Sequence, residues 1–100
     1  MVIVGGTFEV DPDRRDEFLS ARHDLMLSSR AEEGCIEYAF AADPLDPTRV
    51  VLFERWASQE NLDAHLQRLQ AAPPSSGGEV KPTSVSITVY DVAGERPLVR

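Results

Sequence analysis

Apolar residues mark four stretches of the chain as candidate β-strands. The strands are expected at residues 2–10, 35–42, 49–56 and 83–92. In the first of them, Gly5 and Gly6 interrupt the alternation, which indicates either a β-bulge or the close approach of another group. The last stretch alternates most strictly, because the apolar residues Val85, Ile87 and Val89 are separated by Ser86 and Thr88 and followed by Tyr90.

A helical period of the apolar residues predicts two helices. Asp11 and Pro12 are typical of a helix start, since the aspartate accepts amide hydrogen bonds and proline needs no partner there. The apolar stripe of this first helix consists of Phe18, Leu19, Leu25 and Met26. Gly34 is expected to end it as the residue after the C-cap.

Ser58 is the expected N-cap of the second helix. One face of this helix carries Leu62, His65, Leu66 and Leu69. Because Pro73 and Pro74 cannot continue a helix, it should end before them. Residues 71–82 are rich in proline, serine and glycine and are expected to form a flexible connection to the last strand.

The order strand, helix, strand, strand, helix, strand predicts an α+β, ferredoxin-like βαββαβ fold. In this fold a four-stranded antiparallel sheet carries both helices on one face. The two central strands are apolar on both parities. One parity carries Ile36, Tyr38, Phe40, Val50, Leu52 and Trp56, and the other Cys35, Ala39, Ala41, Val51 and Phe53. Two helices cannot cover both faces, so we expect a homodimer in which two sheets stack through the bare face and form a shared barrel.

Length and charge limit the classes of function. One hundred residues predict a single domain over 1–100, with 92–100 as a loose or partner-contacting tail. The net charge of −7 would repel a phosphate backbone, so no nucleic-acid partner is expected. No apolar run is long enough to span a membrane, and the N-terminus lacks the basic start of a signal peptide, which together predict a cytoplasmic protein. The lone Cys35 cannot form an internal disulfide.

Residues 32–67, EEGCIEYAFAADPLDPTRVVLFERWASQENLDAHLQ, resemble the central part of antibiotic biosynthesis monooxygenase (ABM) domains. The similarity lies in a Gly-Cys pair before Tyr38, in a strand that ends in Glu-Arg-Trp, and in the Ala-His-Leu around His65. The resemblance implies a dimeric α+β barrel and, in some members, a cofactor-free oxygenation of quinol-like or polyphenolic substrates. Two departures argue against haem degradation: residues 67–74 lack a second histidine, and Thr7 stands where many relatives have an asparagine.

His65 is the main candidate for catalysis. On the helix face that should meet the sheet, it is either a hydrogen-bonded core histidine or a base that lines a cavity, and histidine suits proton transfer near neutral pH. Trp56 and Tyr38 would be aromatic walls for a planar substrate, although Trp56 is equally well read as a residue at the edge of the core.

Three further residues are candidate substrate contacts. Arg22 lies within the apolar stripe of the first helix, where it either covers apolar surface and reaches water or anchors an anionic or carbonyl-bearing ligand. Glu54 either pairs with a cation at the strand end or orients His65, and Thr7 can donate one hydrogen bond. The two histidines lie on separate helices with no acidic pair beside them, so no metal site is expected.

Two functions of different classes remain open from the sequence. The first is a cofactor-independent monooxygenase that acts on a small aromatic or quinol-type substrate. The second is a non-catalytic, dimeric module that binds a small ligand in the same cavity. Isomerase or lyase chemistry on a small carbonyl compound is a third use of the same histidine.

Overall fold

The computed structural model describes residues 1–72 and 80–99. In chain order its elements are β1 (Val2–Glu9), a 3-10 turn (Pro12–Arg14), α1 (Arg15–Ser20), α2 (His23–Arg30), β2 (Cys35–Ala42), β3 (Arg49–Trp56), α3 (Gln59–Ala71) and β4 (Ser84–Asp91). All strand pairs are antiparallel, and the sheet order is β2-β3-β1-β4. The α+β, ferredoxin-like prediction is confirmed. The connection predicted at 71–82 lies partly in 73–79, outside the described residues, as does Arg100 at the end of the predicted tail.

One face of the sheet packs against the helices and carries the core. The buried strand residues on this face are Val2, Val4, Phe8, Tyr38, Val50, Leu52, Glu54 and Trp56. Phe8 meets Phe18 of α1 with ring centroids 5.6 Å apart. α1 and α2 pack over β2, and α3 packs over β3. The predicted parity of β3 is confirmed, because Val50, Leu52 and Trp56 are all buried on the helix-facing side.

The face prediction for the start of β2 is wrong. Cys35 pairs with Trp56 and Glu37 pairs with Arg55, so the register shifts across Ile36. This irregularity places Cys35, rather than Ile36, against the core, and it leaves Ile36 exposed. A β-bulge changes which parity faces the core, and simple alternation cannot anticipate that.

The first predicted helix is interrupted and ends earlier than expected. Asp11 caps the 3-10 turn by accepting a hydrogen bond from Asp13 N at 2.9 Å, and the helix then breaks at Ala21 and Arg22. α2 ends at Arg30, four residues before Gly34. Gly34, with φ of 80°, therefore belongs to the turn before β2 and is not the residue after the C-cap.

The β-bulge that we expected at Gly5 and Gly6 is absent, because both residues pair in continuous register with β3 and β4. The alternative prediction, a close approach, is what the structure shows. A Cβ atom on Gly6 would lie 3.0 Å from Cγ1 of Ile87 and 3.2 Å from the carbonyl oxygen of Ser86. Gly6 thus lets β4 pack closely beside the middle of β1.

Two apolar surfaces remain uncovered. The first is the apolar row of β4, formed by Val85, Ile87 and Val89, which pair with Phe8, Gly6 and Val4 and so lie on the helix-facing side. Each of the three is about half exposed, because the helices lie over β2 and β3. The opposite face exposes Phe53 and Tyr90. The sheet-on-sheet homodimer stays a prediction. Within the described ranges, no helix has the length and apolar character needed to cross a bilayer.

Candidate functional site

A cavity of about 390 Å³ lies between the helices and the sheet. Its lining is mostly aliphatic and aromatic, with a small number of polar groups, which is typical of a small-molecule site. The lining residues are Val4, Phe8, Arg22, Leu25, Tyr38, Phe40, Leu52, Glu54, Leu62, His65, Leu66, Leu69, Ile87 and Val89. Leu66 and Leu69 of α3, together with Ile87 and Val89 of β4, are partly exposed, so they form the apolar rim of the cavity.

His65 is held by a carboxylate behind it. Its side chain is 1% exposed, and Nδ1 lies 2.8 Å from Oε2 of Glu32. The other oxygen of Glu32, Oε1, lies 2.8 Å from Nη2 of Arg68 on the same helix as His65. A carboxylate on Nδ1 fixes the ring orientation and favours the tautomer in which Nε2 is free to accept a proton. Among the described residues, Nε2 has no hydrogen-bond partner.

Two aromatic rings hold the imidazole in place. The Trp56 ring lies 4.7 Å from the His65 ring at an interplanar angle of 35°, and Tyr38 meets His65 edge-on at 5.3 Å. Trp56 is fully buried and is not part of the cavity lining, so it supports His65 from behind. Tyr38 does line the cavity, and burial raises the pKa of its hydroxyl.

Glu54 is a buried carboxyl at the cavity wall. Its Oε1 accepts a hydrogen bond from the indole Nε1 of Trp56 at 2.9 Å. Burial raises the pKa of Glu54, while the Trp56 hydrogen bond and the nearby His65 act in the opposite direction. The hypothesis that Glu54 orients His65 is not supported, because Glu32 occupies Nδ1 and Glu54 bonds to Trp56. Glu54 also does not pair with Arg55, whose partners are Glu37 and Glu95.

Arg22 lies at the break between α1 and α2 and reaches the cavity wall. Its Cζ lies 3.4 Å from the centroid of the Phe18 ring and 5.7 Å from that of Phe40. Nη1 donates to the carbonyl oxygen of Phe18 at 3.0 Å. Burial lowers the pKa of the Arg22 guanidinium from its ordinary value, as expected for a cation moved out of water.

The structure brings four of the six predicted site residues to one cavity: Arg22, Tyr38, Glu54 and His65. Thr7 does not join them, because it pairs with Val51 and Ser86 and lies on the opposite face of the sheet. No sequence pattern indicated Glu32, which lies in a turn 33 residues before its partner His65. A glutamate beside a predicted helix end is usually solvent-exposed, so no local pattern distinguishes Glu32 as a site residue.

In the part of the chain that the structure describes, no group of three or more histidine, cysteine, aspartate or glutamate side chains is arranged to hold a metal ion. The cavity therefore offers one histidine supported by a carboxylate, one buried carboxyl, one phenol and one guanidinium. This set can move a proton and orient a polar group on an otherwise apolar ligand.

Comparison with known proteins shows the family and the fold of the chain. The family model for antibiotic biosynthesis monooxygenase matches residues 1–72, which contain Arg22, Glu32, Tyr38 and His65. A crystal structure from Deinococcus radiodurans has a TM-score of 0.81 with full coverage of both chains, and at 21% identity it shows the shared fold.

Two relatives are known from their sequences. The chain is 35% identical over 66 residues to "Uncharacterized protein sll1783" of Synechocystis. The match covers 66% of this chain and 45% of that protein. It is 31% identical over 65 residues to "Putative monooxygenase YcnE" of Bacillus subtilis. This match covers 65% of this chain and 68% of that protein. The matched part is thus less than half the length of the Synechocystis protein. From the family model and the fold together, this chain belongs to the antibiotic biosynthesis monooxygenase family.

Proposed function

We propose that the chain is a cofactor-independent monooxygenase that acts on a small aromatic or quinol-type substrate. The observation that carries the proposal is the placement of His65 in the wall of an apolar cavity, with Nδ1 held 2.8 Å from Glu32. This reaction requires the protein to deprotonate an electron-rich phenol and to hold the resulting anion next to O₂, away from water. A positioned base and an apolar cavity meet both requirements.

His65 takes the phenol proton on Nε2, and Glu32 stabilises the imidazolium that forms. The phenolate gives one electron to O₂, and the resulting pair combines to form a bond between oxygen and a hydrogen-bearing ring carbon ortho or para to the hydroxyl. The imidazolium returns its proton to the outer peroxide oxygen, and His65 then takes the proton from that ring carbon. Cleavage of the O–O bond leaves a carbonyl group and releases hydroxide, which takes this second proton from His65 and leaves as water. The sum is one phenol and one O₂ giving one quinone and one water, with both oxygen atoms accounted for.

Tyr38 and Glu54 border the same space and have a supporting role in this proposal. Because burial raises the pKa of both groups, each favours its neutral, hydrogen-bond-donating form. Neutral donors beside the ring would orient the substrate oxygen without competing with His65 for the proton. Trp56 holds His65 and Glu54 together from behind, through its ring and its indole N–H.

The proposal includes a homodimer formed through the sheet face opposite the helices. Phe53 and Tyr90 are exposed on this face, and Ile3 and Val51 are half-buried beside them. Exposed aromatic side chains of this kind favour burial against another protein surface, and a second copy related by a two-fold axis is the simplest partner. The cavity lies on the other side of the sheet, so this dimer would leave the apolar rim free for substrate entry.

Oxygen uptake with a panel of phenols and quinols tests the proposal. We expect at least one dihydroxyaromatic compound to be consumed with one O₂, and ¹⁸O₂ to place one labelled atom in the product. The His65→Ala variant should lose about 100-fold or more in rate, the contribution of a positioned base. His23→Ala is the matched control, because His23 is a largely exposed histidine on α2.

Two outcomes would contradict the proposal in different ways. Full activity in His65→Ala would rule out His65 as the base, although the protein would still be an oxygenase. The absence of turnover across the whole panel, with binding retained, would instead favour the non-catalytic ligand-binding module.

A further inference from the structure

Among the described residues, Arg22 has no anionic partner, although it lies at the wall of an apolar cavity. Within residues 1–72 and 80–99, Arg22 takes part in no ion pair of 4.0 Å or less. The arginines that do form such pairs are Arg14, Arg49, Arg55 and Arg68. Its one hydrogen bond in this part of the chain joins Nη1 to the carbonyl oxygen of Phe18. A guanidinium has five N–H donors in a fixed plane, so most of its capacity to donate remains unused.

The position of this guanidinium is set by packing. Its Cζ lies 3.4 Å from the centre of the Phe18 ring, which is itself fully buried. The break between α1 and α2 places Arg22 at the end of one helix and the start of the next, where the Phe18 carbonyl is within reach. The charge is thus held at the cavity wall instead of extending freely into water, and its pKa is lowered by the burial that results. Such a cation is stabilised by an anion that enters with a ligand.

Arg22 and His65 lie over neighbouring rows of the sheet. His65 packs on Tyr38, which pairs with Glu54, whereas Arg22 lies over Phe40, which pairs with Leu52. These two rows are two residues apart along β2, or roughly 7 Å at the rise of an extended strand. Among the carboxylates of residues 1–72 and 80–99, none lies within ion-pairing distance of Arg22, so Glu54 in the neighbouring row does not neutralise it.

We propose that Arg22 is an anion-binding subsite of the cavity, and that its ligand is a flat aromatic molecule with a carboxylate at the end remote from the hydroxyl that faces His65. The placement of the reacting hydroxyl rests on the proposed function, whereas the carboxylate subsite rests on Arg22 and the cavity alone. The guanidinium would meet the carboxylate with two parallel N–H donors, and the apolar walls would enclose the rings. A two-ring aromatic acid carries a hydroxyl and a carboxylate at opposite ends of one plane, as this subsite requires.

Binding of two matched probes tests the subsite without any need for turnover. The probes are 6-hydroxy-2-naphthoic acid and 2-naphthol, which differ by the carboxylate, titrated at pH 7 in oxygen-free buffer by calorimetry or by naphthol fluorescence. We expect the acid to bind at least about tenfold more tightly than the neutral probe, which corresponds to one charge-assisted contact. Arg22→Gln should abolish this preference, and Arg22→Lys should retain part of it because the charge remains.

Arg14→Gln is the matched control, since it removes the same charge from a neighbouring exposed site that pairs with Glu17. It should keep the full preference for the acid, and circular dichroism and melting temperature should show that each variant is folded. Equal binding of the two probes to the unmodified protein, a preference that survives in Arg22→Gln, or no binding of either probe would overturn the proposal. Preference for the acid without any oxygen uptake in the separate activity assay would support the subsite and contradict only the oxygenase.

Discussion

At the scale of single residues, Glu32 tests whether His65 acts as a positioned base. Glu32 contacts Nδ1 of His65 but is absent from the cavity lining, so its loss should affect the reacting base more than substrate binding. We expect Glu32→Gln to lower kcat about tenfold or more while KM changes little. Glu33→Gln, an exposed neighbour, is the control. A rise in KM at constant kcat would show that Glu32 serves binding instead.

Glu54 makes a second residue-scale prediction, which concerns stability and pH. Since burial raises its pKa in the folded state, the folded protein holds that proton to a higher pH than the unfolded chain does. Stability from the neutral carboxyl is therefore fully present below the unfolded pKa, about 4.3, and declines as the pH rises through the folded pKa. Glu54→Gln keeps an oxygen for the Trp56 indole and removes this titration.

The measurement for Glu54 is the melting temperature of both proteins between pH 4 and pH 8. We expect Glu54→Gln to gain stability relative to the unmodified protein as the pH rises across this range. The comparison isolates Glu54, because Asp43 and Asp46, whose pKa values are lowered, are common to both proteins. If the stability difference between Glu54→Gln and the unmodified protein is constant with pH, or shrinks as the pH rises, the pKa of Glu54 is not raised.

At the scale of the elements, the turn between α2 and β2 positions the site. Gly34 has φ of 80°, and a Cβ atom there would lie 2.2 Å from Cγ of Asn61, beside the Ser58 cap of α3. The same turn holds Glu32, so its geometry sets where the carboxylate meets His65. We expect Gly34→Ala to destabilise the protein by about 1–3 kcal/mol, from both the backbone strain and the clash.

Thermal unfolding checks this turn, with Gly94→Ala as the control because a Cβ there has nothing within 4 Å. A loss of about 1–3 kcal/mol corresponds to a fall in melting temperature of several degrees for a domain of this size. Equal melting temperatures for the two variants would show that the turn relaxes without cost.

The elements also show which features local sequence signals predict. Parity along the chain correctly grouped Val50, Leu52 and Trp56 on one face of β3. The Ser58 cap is confirmed by its hydrogen bond from Asn61 N at 3.2 Å. The register shift at Ile36 and the break at Arg22 were not predictable, since both depend on how the strand and the helix fit against the rest of the fold. The same holds for the partners of His65 and Glu54, because contacts between distant residues leave no periodic pattern in the chain.

At the scale of the whole molecule, the two faces of the sheet have different roles. The helix-facing side encloses the cavity, and its apolar row on β4 contributes to the rim. The opposite side carries Phe53, which is 36% exposed, and Tyr90, which is 55% exposed, on either side of β1. If a second copy covers this side, the chain should have twice the mass of one protomer in solution, and the charge on that surface should control assembly.

Light scattering after gel filtration at micromolar concentration measures the assembly directly. Phe53→Glu places a charge at the centre of the proposed interface, where desolvation without a partner is costly, and we expect it to give monomers. Leu45→Glu makes the same kind of change in the loop between β2 and β3, where Leu45 is 93% exposed, and should leave the dimer intact. An unmodified protein that runs as a monomer would refute the sheet-face dimer. A dimer that survives Phe53→Glu would instead assign the interface to another surface, of which the apolar rim of α3 and β4 is the next candidate.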